Sequence, residues 1–158
     1  MAEASNRQTP VWVLHLAANG GLGYAPAASG TVGTLAGIPA FWLLSHLGGL
    51  TFTLVWLLLL VVACLASDAA GRHYGQADDG RIVIDELIGY LVTVALLPFS
   101  WTAALLGFVF FRLFDIAKLP PASWYDREMK NGVGVVLDDV AAGLYAALAL
   151  RFCLLLFG

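Results

Sequence analysis

Residues 47–67 read LGGLTFTLVWLLLLVVACLAS, twenty-one consecutive positions from Leu47 to Ser67 with no Asp, Glu, Lys or Arg. A helix needs roughly 20 apolar residues to cross a hydrocarbon core of about 30 Å, so this stretch reads as a transmembrane helix. The flanks agree with it. Positions 8–67 carry no charge at all, and sixteen of the nineteen charged side chains lie between Asp68 and Asp139. Asp or Arg costs about 2.5–3.5 kcal/mol at the centre of a spanning helix, so such clustering separates buried segments from a polar working region. The whole chain of 158 residues is 60% hydrophobic and 12% charged, with a mean hydropathy of +0.83. Soluble domains are about one-quarter charged, and a water-soluble monomer of this composition could not coat itself.

The rest of the chain is organised around that span. Met1 to Pro10 lack the basic-then-apolar order of a cleavable signal, so the apolar segments are expected to stay in the bilayer. Gly20 to Thr34 is Gly-rich and reads as an ordered loop, leading into a helix over about Val32–Ser45 capped by Ser29 or Thr31. His46, Gly48 and Gly49 supply a turn before the span. Leu87 to Phe111 is uncharged for 25 residues but broken near Pro98. Proline removes a backbone donor and keeps its predecessor out of the helical region, so a hairpin is favoured over one kinked span. Val140–Phe157 closes the chain as an apolar helix interrupted by Arg151, which can snorkel to an interface.

The expected fold is therefore all-α, a polytopic membrane bundle of four or five embedded helices with residues 1–158 as a single domain. If Val32–Ser67 and Leu87–Phe111 are hairpins, the charged segments Asp68–Glu86 and Arg112–Asp139 emerge on one face. Six of the eight basic residues lie in those two segments and Arg7 precedes the first hairpin, so the positive-inside tendency puts that polar face in the cytoplasm. The net charge of −3 argues against nucleic acid as a partner. Cys64 and Cys153 sit in apolar runs and read as packed thiols.

Acidic residues make the strongest constellation: Asp85 and Glu86 at the start of one helix, Asp115 near the end of another, Asp138 and Asp139 at the start of the last. Single pairs of this kind often cap helix N-termini. Two pairs and a solitary aspartate on one face favour a shared cation, and an all-oxygen set without His or Cys suits Mg²⁺ better than Zn²⁺. Arg112, Asp115 and Lys118 are spaced i, i+3, i+6. They form either a plain interfacial charge network or an anion site in which Arg112 forks onto phosphate oxygens and Lys118 adds a point charge, with Arg127 joining. The segment Ser29–Thr34 offers glycine turns and hydroxyls before a helix, suited to an anion or equally to close helix packing. His15, His46 and His73 are isolated, and the tryptophans and tyrosines suit interfacial anchoring.

Four ordered blocks carry a family resemblance: Gly30-Thr31-Val32-Gly33-Thr34; Ile82 through Asp85-Glu86 to Gly89; Phe111-Arg112-Leu113-Phe114-Asp115-Ile116-Ala117-Lys118; and Trp124-Tyr125-Asp126-Arg127 through Asp138-Asp139 to Gly143. Together the chain resembles the phosphatidylglycerophosphatase A family over nearly its whole length, with the family's preceding aspartate falling on Asp78. The resemblance implies a Mg²⁺-dependent phosphatase of the bacterial inner membrane, multi-pass, acting on phosphatidylglycerophosphate among membrane lipids through metal-activated water. It implies Asp85, Glu86, Asp115, Asp138 and Asp139 as metal ligands, with Asp85, Glu86, Asp115, Lys118 and Asp139 catalytic. Thr31, Gly33, Thr34, Arg112, Lys118 and Arg127 would bind substrate, and a homo-oligomer is compatible with it. Asp126 and Glu128 are expected in a solvated loop.

Covalent phosphatase motifs are missing, since no arginine stands six positions after either cysteine and no Asp-x-Asp pair is present. An ion or proton transporter using the same carboxylates is the competing reading, followed by a non-catalytic membrane subunit. Position separates the first two, because a transporter keeps ionisable groups near the midplane and these bunch at helix ends.

Overall fold

The computed structural model describes residues 9–157, and all the regular elements among them are helices. They are α1 (Val11–Ala17), α2 (Ser29–Thr34), α3 (Gly37–Leu44), α4 (Gly49–Tyr74), α5 (Ile84–Thr93), α6 (Trp101–Ala117), α7 (Ala122–Glu128) and α8 (Gly132–Phe157), with a 3-10 segment over Asn19–Tyr24. Arg7 and the polar start of the chain lie outside the described residues.

α4 and α8 are each 26 residues and apolar enough to cross a membrane. Only 17% of the most apolar part of α4 and 33% of that of α8 is buried, whereas the core helix of a soluble protein is mostly enclosed. Leu50, Leu58 and Leu65 on α4 and Leu148, Phe152 and Leu155 on α8 point outward. These two helices fit a membrane protein.

Both helices overrun the apolar stretches that announce them. α4 continues past Ser67 through Asp68 and Arg72, which pair one turn apart, and α8 begins at Gly132 rather than Val140. Backbone hydrogen bonding does not stop where hydrophobicity stops. The two extensions meet: the Gly132 N–H donates to Asp68 Oδ1 at 3.3 Å, and the Gly134 N–H to Asn131 Oδ1 at 3.0 Å, satisfying free amides at the start of α8. Asp138 and Asp139 consequently lie about two turns into α8.

The helix anticipated over Val32–Ser45 starts earlier and is divided. Ala28 takes a left-handed conformation (φ 50°), neither Ser29 nor Thr31 caps it, and turns at Leu35 and Ala36 separate α2 from α3. The break near Pro98 is present, with residues 94–100 between α5 and α6 and the Ser100 hydroxyl accepting from the Ala103 N–H at 3.1 Å. At 10 residues, α5 rises only about 15 Å.

α5 is the central element, buried on most sides and packed chiefly against α8. A Cβ on Gly89 would lie 2.6 Å from the Asp139 carbonyl oxygen, so glycine permits that approach. One core cluster joins Phe41, Tyr90, Leu91, Phe111 and Leu150 from α3, α5, α6 and α8. The second joins Ala17, Ala63, Ala70, Ile88 and Val136 from α1, α4, α5 and α8. Arg151 is tied to the end of α5. Its guanidinium donates to the Ala95 carbonyl at 2.6 Å and the Thr93 carbonyl at 3.3 Å, closing the C-terminal end of α5.

Candidate active site

The local folding of three helix ends builds the site. Asp85 and Glu86 occupy the first turn of α5, Asp115 the last turn of α6, and Asp139 the second turn of α8. One carboxylate oxygen each from Glu86, Asp115 and Asp139 lies within 4.8 Å of the others. Arg112, one turn before Asp115, pairs through Nη1 with Asp115 at 2.8 Å and also with Glu86. The Thr34 hydroxyl of α2 lies 3.1 Å from Glu86 Oε2 and 2.8 Å from the Gly30 carbonyl. A Cβ on Gly30 would collide with the Glu86 carboxylate, so this glycine lets α2 pass directly beside it.

Three carboxylates face a single guanidinium here. Asp85, 6% exposed, adds a fourth acid whose Oδ1 has no hydrogen-bond partner. Uncompensated negative charge in so buried a place calls for a cation, and an all-carboxylate set offers the hard oxygen donors that divalent ions such as Mg²⁺ take. The group could hold a metal ion.

Asp138 belongs to a second, adjoining cluster. Its carboxylate accepts from Lys118 Nζ at 2.8 Å, and Lys118 donates equally at 2.8 Å to Asp126 Oδ1 of α7. Lys118 follows α6 in a left-handed conformation (φ 45°), which turns it away from the Arg112–Asp115 face and divides the i, i+3, i+6 triplet. Burial by itself would lower the Lys118 pKa, but the hydrogen bonds it donates to Asp126 and Asp138 outweigh it and hold the ammonium above its ordinary range. The Lys118 hydrogen bond holds the Asp126 carboxyl below the usual aspartate value. The pair is therefore fully charged at neutral pH. Asp126 stabilises it above its unfolded pKa and loses that effect only as pH falls through the depressed folded value; Lys118 loses its share only at very alkaline pH.

The remaining sequence candidates are placed as follows. Gly33 is buried against the Val83 side chain, and Asn19 Nδ2 donates to the Gly33 carbonyl at 3.3 Å and the Val83 carbonyl at 2.7 Å, so α2 is laced to the start of α5. The Thr31 side chain makes no hydrogen bond among the described residues. Arg127 is exposed and donates from Nε to the Ser123 carbonyl at 3.1 Å. Asp78 is exposed in the loop before α5. Asp126 is the residue that reading the sequence missed: it is not in a solvated loop but ion-paired across a Pro-Pro turn. In the sequence it stands eight positions after Lys118, a spacing with no helical meaning, and the block Trp124-Tyr125-Asp126-Arg127 does not show its partner. Thr34 was read toward substrate, whereas its hydroxyl is engaged with Glu86.

The arrangement defines a class, a helical protein with membrane-length helices that gathers carboxylates, an arginine and a lysine at one end of its bundle. The family model described as Phosphatidylglycerophosphatase A matches residues 15–154, and the chain belongs to that family. Phosphatidylglycerophosphatase A of Escherichia coli (strain K12) is 36% identical over 155 residues, covering 96% of this chain and 88% of that protein. The protein of the same name from Haemophilus influenzae is 38% identical over 138 residues, 85% of each chain. A putative phosphatidylinositol-3-phosphatase of Bacteroides thetaiotaomicron is 32% identical over 134 residues, 80% of this chain and 83% of that one. No solved structure matches the chain.

Proposed function

We propose that this chain hydrolyses the terminal phosphate of phosphatidylglycerophosphate to phosphatidylglycerol and inorganic phosphate, and that Mg²⁺ is the cation of its acidic site. The observation that carries the reading is the convergence of Glu86, Asp115 and Asp139 from three helices beside Arg112. Asp85 and Asp138 complete the proposed ligand set. When bound, Mg²⁺ supplies neutralisation of phosphoryl charge and a lowered pKa for the attacking water.

The protein's own groups do the remaining work. Arg112 holds Glu86 and Asp115 in register, and its remaining guanidinium donors are offered to the phosphoryl oxygens. Lys118 supplies a third N–H donor beyond the two engaged with Asp126 and Asp138, and Thr31 and Arg127 are the other contacts assigned to substrate, while the buried Gly33 and Thr34 hold α2 beside Val83 and Glu86. Water oxygen bonds to phosphorus as the bond to the glycerol oxygen breaks, and a site carboxylate takes the water proton and returns a proton to that leaving oxygen. Uncatalysed phosphomonoester hydrolysis is so slow that accelerations reach about 10²¹-fold, and charge stabilisation is the expected main contribution.

In this reading residues 1–158 form one domain of four or five embedded helices in the bacterial inner membrane, with the site facing the cytoplasm. Arg72, Arg81, Lys118, Arg127 and Lys130 near the site end support that orientation. Substrate arrives along the bilayer and phosphate leaves to water. A homo-oligomer would not need to share the site, because the three carboxylates meet within one chain. Their gathering at one end favours an enzyme over a transporter.

The test is phosphate release by purified protein from phosphatidylglycerophosphate in detergent micelles, with Mg²⁺ and with EDTA, beside phosphatidylinositol 3-phosphate. Release from the glycerol lipid that requires Mg²⁺ is expected, as is its loss by more than about 10²-fold in Glu86→Gln and Asp139→Asn together with weaker Mn²⁺ binding. No release, or release from the inositol lipid alone, would overturn the assignment.

A further inference from the structure

Asn19 opens the 3-10 segment in a left-handed conformation (φ 47°), a backbone shape that asparagine tolerates better than most side chains. Its carboxamide has two N–H bonds, and both are used. Nδ2 donates to the Val83 carbonyl at 2.7 Å and to the Gly33 carbonyl at 3.3 Å. The Val83 N–H in turn donates to the Ala17 carbonyl at 2.9 Å, so the segment around Asn19 takes both backbone polar groups of the residue that leads into α5. Gly33 is followed by Thr34, and Val83 lies three residues before Glu86. One amide thus ties together the two backbones whose side chains meet at 3.1 Å, the Thr34 hydroxyl against Glu86 Oε2. A Cβ on Gly33 would overlap Val83 and one on Gly30 the Glu86 carboxylate, so α2 lies directly against the start of α5. With six residues, α2 cannot hold that place by its own stability. Asn19 makes no hydrogen bond to a site carboxylate among the described residues.

We propose that Asn19 is a positioning residue of the site: by fastening α2 to the start of α5 it fixes Thr34 against Glu86, and so holds the Glu86 carboxylate in the geometry that a divalent cation needs. This inference rests on the reading of Glu86, Asp115 and Asp139 as the cation site. A ligating carboxylate is oriented by the groups hydrogen-bonded to it, and loss of such an outer partner typically weakens metal binding about 10- to 100-fold. Mg²⁺ is sensitive to this because it demands near-ideal octahedral geometry. Arg112 still pairs with Glu86 from α6 when Asn19 is gone, so the effect belongs at the lower end of that range.

The experiment uses the full chain in detergent micelles and does not depend on turnover. Binding of Mn²⁺ is read by electron paramagnetic resonance for wild type, Asn19→Gly, Thr34→Val and the double variant, beside the midpoint of thermal unfolding. Glycine keeps the left-handed backbone open and removes only the amide. Asn19→Ser, whose hydroxyl is too short to reach both carbonyls, takes its place if the glycine variant does not fold. Expected is Mn²⁺ binding about tenfold weaker in each single variant, and hardly weaker again in the double, because Asn19 and Thr34 act through one hydrogen bond to Glu86. The Mg²⁺ concentration that half-saturates phosphate release should rise by the same factor, with kcat largely restored at saturating Mg²⁺. A lowered unfolding midpoint with unchanged Mn²⁺ affinity would make Asn19 a support of the fold alone and overturn the proposal. Losses that multiply to about a hundredfold in the double variant would overturn it as well, since the two residues would then act independently. Wild type that binds no Mn²⁺ overturns the cation reading and this inference together, whereas the expected weakening in a protein that releases no phosphate overturns only the assigned reaction.

Discussion

Arg112 serves two carboxylates through one terminal nitrogen, and with its side chain 17% exposed it does so largely out of water. A guanidinium can hold that geometry because its donors are fixed in a plane, while an ammonium offers a single mobile point charge. Arg112→Lys keeps the net charge and removes the fork. We expect kcat/KM for phosphatidylglycerophosphate to fall on the order of 10²-fold, with a higher Mg²⁺ requirement because Glu86 and Asp115 lose their register. Wild-type kinetics in Arg112→Lys would show that charge alone suffices. Asp126 teaches the complementary lesson, since an acid on a short helix between two others is decided by which lysine comes to meet it.

The ten residues of α5 carry two of the site acids, cross α8 at Gly89 and end under Arg151. A helix this short has little stability of its own, so its last carbonyls and its packing determine whether it forms. Arg151→Met deletes the donors to the Thr93 and Ala95 carbonyls and leaves buried acceptors unpaired. The expected loss is about 1–3 kcal/mol, read as a lowered midpoint of thermal unfolding in detergent. Arg151→Lys should recover part of it, and an unchanged midpoint in Arg151→Met would mean that water reaches those carbonyls freely.

At the scale of the molecule, the turn at 45–48 and the loop at 75–83 lie at opposite ends of α4. If α4 spans the bilayer with the site facing the cytoplasm, a single cysteine at Gln76 in a Cys64→Ala, Cys153→Ala background is labelled by a membrane-impermeant maleimide in inside-out vesicles and not in intact spheroplasts. A cysteine at His46 behaves oppositely. Labelling of both from one side would remove α4 as a span and the orientation with it.

The sequence by itself determined the helical class, the span inside α4, the break at Pro98 and the acids Glu86, Asp115 and Asp139, because hydrophobic runs, proline and clustered charge act locally and leave linear traces. The length of α4 beyond Ser67 and the early start of α8 were not legible, since a helix continues through charge when the extensions have each other to pair with, as Asp68 does with Gly132. Only the tertiary structure decided that Lys118 parts from Asp115 to join Asp126 and Asp138, that Thr34 meets Glu86, and that Arg151 closes α5. Each of these joins residues from separate helices, and for such pairs the partner is chosen by how the helices cross and not by distance along the chain.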